Sequence, residues 1–148
     1  MQKIIAIILF IISFFTTGDM TKANVTVYKE LTAGDTNAVF VFENNTGKAI
    51  GKDIKIDKVE KEVFGQWIDV PFAQSFLETA GKSDFENRVY PGEKESLYVD
   101  FMTTVAGIPV QVPLTSGNYR VTVSFKTSGY SKVTEGSVTA EFTVAQAA

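Results

Sequence analysis

Apolar and polar side chains alternate along stretch after stretch of this chain, and a two-residue period suits an antiparallel sheet rather than a helix. Tyr119, Val121, Val123 and Phe125 interleave with Arg120, Thr122, Ser124 and Lys126. Val138, Ala140, Phe142 and Val144 interleave with Thr139, Glu141 and Thr143, and Leu97, Val99 and Phe101 with Ser96, Tyr98 and Asp100. Val25 and Val27 flank Thr26 in the same way. Each run reads as a strand with one buried face. Ala38 to Phe42 is apolar on both faces, which predicts a central strand.

Turn residues divide these runs. Thr32-Ala33-Gly34-Asp35 separates the first two, and Glu43-Asn44-Asn45-Thr46-Gly47 ends the second. Phe64-Gly65-Gln66 marks a hairpin tip between Ile54–Val63 and Trp67–Val70. Pro91-Gly92-Glu93 and Thr115-Ser116-Gly117-Asn118 lead into later strands. Short strands at this spacing predict an all-β antiparallel sandwich of seven to eight strands. Two segments break the rhythm. Residues 71–90 show no clear strand, and Ala73 to Ala80 has the composition for two helical turns stopped by Gly81. Residues 103–113 read as a long connection, stiffened by Pro109 and Pro113 and unsuited to a central strand.

The chain starts Met1-Gln2-Lys3 and continues with an apolar run from Ile4 to Ile12, extended by Ser13, Phe14 and Phe15. A basic start, an apolar core and small residues behind it read as a secretory signal peptide over residues 1–23. The run falls short of the roughly 20 residues that a bilayer-spanning helix needs. Thr21-Lys22-Ala23 places small residues for a cut before Asn24, and Thr16-Thr17-Gly18 offers a second position. The expectation is an exported domain over residues 24–148, secreted or extracytoplasmic, that meets the membrane only transiently through its signal. It stays tethered if the signal is retained.

Composition narrows the chemistry. The 14 basic residues less Lys3 and Lys22 leave 12 in the exported part, and the 17 acidic residues less Asp19 leave 16. An acidic surface without a basic cluster argues against nucleic-acid binding. The chain has no Cys, so packing rather than disulfides must hold it. It also has no His, which removes the commonest general base and metal ligand. Ser83 beside Lys82 and Ser131 beside Lys132 are poor nucleophile–base pairs, because strand neighbours point to opposite faces. Asp53, Asp57, Glu60 and Glu62 alternate with Lys52, Lys55, Lys58 and Lys61, the pattern of a solvated charged strand rather than a catalytic carboxylate pair. Asp84, Glu86 and Asn87 form the one plausible calcium cluster, without the glycine-centred spacing of a dedicated loop. Asn24 and Asn44 begin N-x-T triplets that would matter only in a eukaryotic secretory route.

An ordered set of segments resembles a bacterial immunoglobulin-like domain family found in exported proteins of Gram-positive bacteria. Val39-Phe40-Val41-Phe42-Glu43-Asn44-Asn45-Thr46 is similar to that family's strand ending in a polar turn. Gly65-Gln66-Trp67-Ile68-Asp69-Val70-Pro71-Phe72 resembles its hairpin with one Trp after the tip, and Val89-Tyr90-Pro91-Gly92-Glu93 its turn into the next strand. Leu114-Thr115-Ser116-Gly117-Asn118-Tyr119-Arg120-Val121 resembles the start of its penultimate strand, and Glu141-Phe142-Thr143-Val144 its closing strand. The likeness spans nearly all of residues 25–144 and departs at Ala106–Pro113, where the connection is longer. It implies an immunoglobulin-like sandwich and export, and carries no catalytic residues.

The expected function is that of a non-enzymatic module, without cofactor, that binds a protein or cell-envelope component or serves a structural role. A proteinase inhibitor acting through the Pro109–Pro113 loop and a surface-fibre subunit are the alternatives. Trp67, Phe76, Phe85, Ile108 and Val110 are the candidate partner contacts. Trp67 can stack on a sugar, fill a partner pocket or plug the core, and Phe72, Phe76 and Phe85 can form a patch or tack their loop down.

Overall fold

The computed structural model describes residues 14–15, 23–51, 53–75, 88–127 and 134–148. Its strands are β1 (Phe14–Phe15), β2 (Ala23–Val27), β3 (Leu31–Thr32), β4 (Asn37–Asn44), β5 (Ile50–Gly51), β6 (Lys55–Val63) and β7 (Gln66–Val70). They continue with β8 (Ala73–Ser75), β9 (Arg88–Val89), β10 (Lys94–Asp100), β11 (Met102–Val105), β12 (Ile108–Gln111), β13 (Gly117–Lys126) and β14 (Glu135–Ala145). The strands are more numerous than the seven to eight expected, because short pairs such as β5–β9 and β11–β12 carry too little periodicity to be read from sequence.

Two larger sheets build the domain. One runs β1-β14-β13-β6-β7, with β3 beside β14, and the other runs β2-β4-β10-β8. All pairings are antiparallel except β3 with β14, which is parallel. The alternation in β13 and β14 is realised in register: Tyr119 faces Phe142, Val121 faces Ala140 and Val123 faces Val138. These side chains are buried, and rings from the second sheet meet them. Phe40 packs edge-on against Phe142 at 5.3 Å between centroids, and Phe42 lies 5.1 Å from Phe125. The two sheets therefore pack face to face through the inward halves of their strands. Burying each such ring contributes about 1.5–3 kcal/mol. Ala38–Phe42 lies in β4, between β2 and β10, as its two-sided apolarity predicts.

Two expectations are corrected. Ala73-Gln74-Ser75 forms β8 rather than the start of helical turns, since it pairs with β10 at Tyr98–Asp100. Gln74 is held further by its side chain: its Oε1 accepts from the Ile56 amide at 2.7 Å, and its Nε2 donates to the Ile54 carbonyl at 2.9 Å. Tertiary pairing thus overrides a helical composition. Residues 103–113 are not an irregular connection but most of the β11–β12 ribbon.

The expected signal segment lies outside the described residues apart from Phe14–Phe15, which pair with Thr139 and Val138, and Ala23. Ala23 is fully buried and opens β2 opposite Asn44.

Candidate functional site

Among the described residues, two hairpin tips lie toward one end of the molecule, and backbone hydrogen bonds fix the base of one of them. Past β10 the chain is clamped at Phe101, whose amide donates to the Thr36 carbonyl at 2.8 Å. The returning strand is clamped at Leu114, whose amide donates to Asp35 O, while the Gly34 amide donates to Leu114 O. Between these feet β11 and β12 leave the packed layers as a ribbon of their own. They turn at Ala106 and Gly107, both with positive φ (51° and 80°), as a two-residue hairpin of the primed type requires.

The ribbon is nearly all exposed. Val105, Ile108 and Val110 show 57%, 64% and 43% of their surfaces to solvent. The register places Thr103 opposite Val110 and Val105 opposite Ile108, so these four share one face. Phe101, two residues before Thr103 in the strand alternation, is fully buried. The apolar ribbon face thus continues the core-facing side of the β10 sheet beyond the core. No charged residue lies between Asp100 and Arg120.

A second hairpin ends near the ribbon's base. β6 and β7 turn at Phe64 and Gly65, with φ of 49° and 79°. Lys61, two residues before the end of β6, faces Tyr119 at the start of β13, and its Nζ donates to Thr115 Oγ1 just after the ribbon. The tip residue Phe64 is wholly exposed. A bulky aromatic with positive φ is uncommon, since Asn or Gly suits that position better.

The outer face of β6, β7 and β13 holds an electrostatic cluster. Arg120 Nε donates to Glu60 Oε1 at 2.7 Å, and Lys58 Nζ lies 3.8 Å from the same oxygen. The Arg120 guanidinium carbon sits 4.3 Å from the Trp67 ring centroid. Glu60 is nearly buried although it belongs to the charged strand. The hydrogen bond from Arg120 holds its carboxyl below the usual range, opposed by burial and aided by the charges of Arg120 and Lys58. Trp67 is therefore not a plug between the sheets: its partly exposed ring lies on the outer face, with a guanidinium against one side of it. This arrangement ties β7 to β13 across β6.

Tyr119 completes the anchoring at this end. Its hydroxyl donates to the Thr115 carbonyl at 2.6 Å and accepts from the Thr115 amide at 3.2 Å, while its ring stacks on Phe142 at 5.4 Å. The residues that follow the ribbon are thus pinned to the core.

Of the five residues singled out in the sequence, Ile108 and Val110 stand exposed on one ribbon face, and Trp67 lies on a different surface. Phe76 and Phe85 lie outside the described residues, as do Ser83, Ser131 and the Asp84, Glu86 and Asn87 cluster. Among the described residues no group of three or more acidic side chains converges as a metal site would require. Asp57 accepts a hydrogen bond from Ser124 at 3.0 Å, and Glu60 is engaged by Arg120, so two of the four strand carboxylates serve strand contacts. Asn44 is fully buried: its Nδ2 donates to the Lys48 and Val89 carbonyls, and its Oδ1 accepts from the Thr46 amide and hydroxyl. A glycan on Asn44 Nδ2 would replace one of the two hydrogens that make these bonds. Sequence reasoning missed Phe64 and Val105 as contact candidates. The available signal was a large or β-branched residue at or beside a two-residue turn. A scan against protein-family models finds no match to this chain, and a search of curated proteins finds none either.

Proposed function

We propose that this chain is an exported, non-enzymatic immunoglobulin-like module that binds a protein or cell-envelope partner through the β11–β12 ribbon. The observation that carries the reading is the ribbon itself: a rigidly footed, uncharged hairpin that holds Val105, Ile108 and Val110 in solvent on one face. Exposed apolar residues grouped in this way cost solubility, and such groups mark interaction surfaces.

Two features support the immunoglobulin-like part. The order β2-β4-β10-β8 opposite β14-β13-β6-β7 follows the division of strands in that fold. Tyr119 near the start of the penultimate strand, bonded back to Thr115, has the form of its tyrosine corner. Export rests on the apolar N-terminal run. Of the two cut positions, the one at Thr16-Thr17-Gly18 leaves β2 whole, whereas a cut after Ala23 removes a buried residue from it.

The test is binding of the labelled protein to intact cells and isolated envelopes of its own source. Saturable binding that falls at least about tenfold on Ile108→Asp with Val110→Asp is the expected result. Equal binding by the double variant, with its fold intact by circular dichroism, would remove the ribbon from the function.

A further inference from the structure

The ribbon has two strand edges, and they are not equivalent. Val112 donates its amide to the Phe101 carbonyl at 2.9 Å, which fixes the phase of the ladder. Antiparallel pairs alternate between hydrogen-bonded and non-bonded. Counting from Phe101–Val112, the bonded pairs are Thr103–Val110 and Val105–Ile108, and the pairs Met102–Gln111 and Thr104–Pro109 direct their backbone groups outward. On the β12 side Pro109 has no N–H to offer, so that edge is blunted. On the β11 side Met102 and Thr104 each present a donor and an acceptor. Among the described residues β11 pairs with β12 alone.

We infer that the β11 edge pairs antiparallel with the β11 edge of a second copy of this chain, about a twofold axis through Thr103. The inference rests on the reading of the ribbon as an interaction surface and names its partner. In this register Met102 faces Thr104 of the other copy and Thr104 faces its Met102, so every outward donor and acceptor of both edges is used. The arrangement is self-complementary, as a twofold interface must be. Charge selects the place of contact. The chain carries a net charge of −3, so two copies repel each other over most approaches. The span between Asp100 and Arg120 is free of charge, and there two copies meet without like charges. Thr103, Thr104 and Val105 are β-branched and suit a strand paired on both sides. The joined ribbons form a four-stranded sheet whose apolar face is continuous across the axis. Four-residue strands bury little area, so the dimer belongs with weak, transient encounters of about 1,200 Å² or less.

Sedimentation velocity of the full chain from ~10 μM to ~1 mM, the range in which a weak dimer forms, is the first measurement. A sedimentation coefficient that rises with concentration is expected. Thr104→Pro removes the outward donor while sparing the ladder inside the ribbon, and should weaken association by up to about tenfold. Thr103→Cys gives an independent readout in a chain that has no other Cys. Across the axis the two Cα atoms would lie about 4.5 Å apart, a non-hydrogen-bonded pair within disulfide reach. Mild oxidation should therefore cross-link Thr103→Cys far faster than Ile68→Cys, which is exposed on the other hairpin. A wild type that stays monomeric throughout, a Thr104→Pro variant that associates like the wild type, or equal cross-linking of the two Cys variants overturns the inference. In that event envelope binding that still depends on Ile108 and Val110 leaves the broader binding role standing.

Discussion

The two hairpins at one end of this molecule turn through nearly the same φ angles and have opposite fates. β6–β7 passes Phe64 and Gly65 at φ of 49° and 79°, and β11–β12 passes Ala106 and Gly107 at 51° and 80°. The first hairpin continues a sheet, because β6 also pairs with β13 and sends Ile56 and Val59 into the core. Its outer face is charged and bound together by Glu60, Arg120 and Trp67. The second hairpin has no neighbouring strand among the described residues and no charge on either face. The comparison teaches that local turn chemistry makes a hairpin, while a third strand decides whether its apolar face becomes core or surface.

Substituting the same residue type in each hairpin should expose that difference most strongly. Ile56→Ala, at a buried position, should lower unfolding free energy by ~2–5 kcal/mol in urea denaturation. Ile108→Ala should cost ~0.5 kcal/mol or less, because the side chain is largely exposed. Equal losses would mean that the ribbon is packed in solution and would erase the distinction.

Acid should act on the first hairpin and spare the ribbon. Glu60 titrates below its ordinary value in the folded protein, chiefly through the hydrogen bond from Arg120. Its contribution to stability is therefore complete above the unfolded carboxyl pKa, about 4.3, and is lost as pH falls through the lower folded value. Glu60→Gln should cost about 1–2 kcal/mol at neutral pH and flatten the acid limb of the stability–pH curve. An unchanged acid limb would place the titration elsewhere.

The smallest effect concerns the tip of the first hairpin. Phe64 holds a left-handed conformation that suits Asn far better, and its ring touches mainly solvent. Phe64→Asn should raise stability by ~0.5–1 kcal/mol in the same denaturation assay. A loss of stability would show that the ring packs against something and that this tip, too, is not a free surface.

Much of this architecture was legible along the chain. The alternation in β13 and β14 specified both strands and the residues they bury, and Phe64-Gly65-Gln66 located the first hairpin turn. Thr103 to Pro113 read as a connection because two prolines argue against a central strand. Pro109 sits opposite Thr104 in a non-bonded pair, where a missing N–H costs the ribbon nothing. Ala73-Gln74-Ser75 misled because three residues carry little period of their own, and β10 supplied the pairing. Of the contact candidates, Ile108 and Val110 were recognisable as apolar residues in a stiff segment. Trp67 was not placeable, since its outer-face position depends on Arg120, 53 positions along the chain from it.

By itself, the order of residues determined an all-β chain, the positions of its main turns and the residues able to form a core, because a two-residue period and turn preferences act over a few neighbours. Only the tertiary structure decided that Asn44 is enclosed, that a guanidinium lies against Trp67, and that one of two similar hairpins stands clear of the layers. Those outcomes depend on which distant strand arrives alongside, and no local pattern of side chains encodes that.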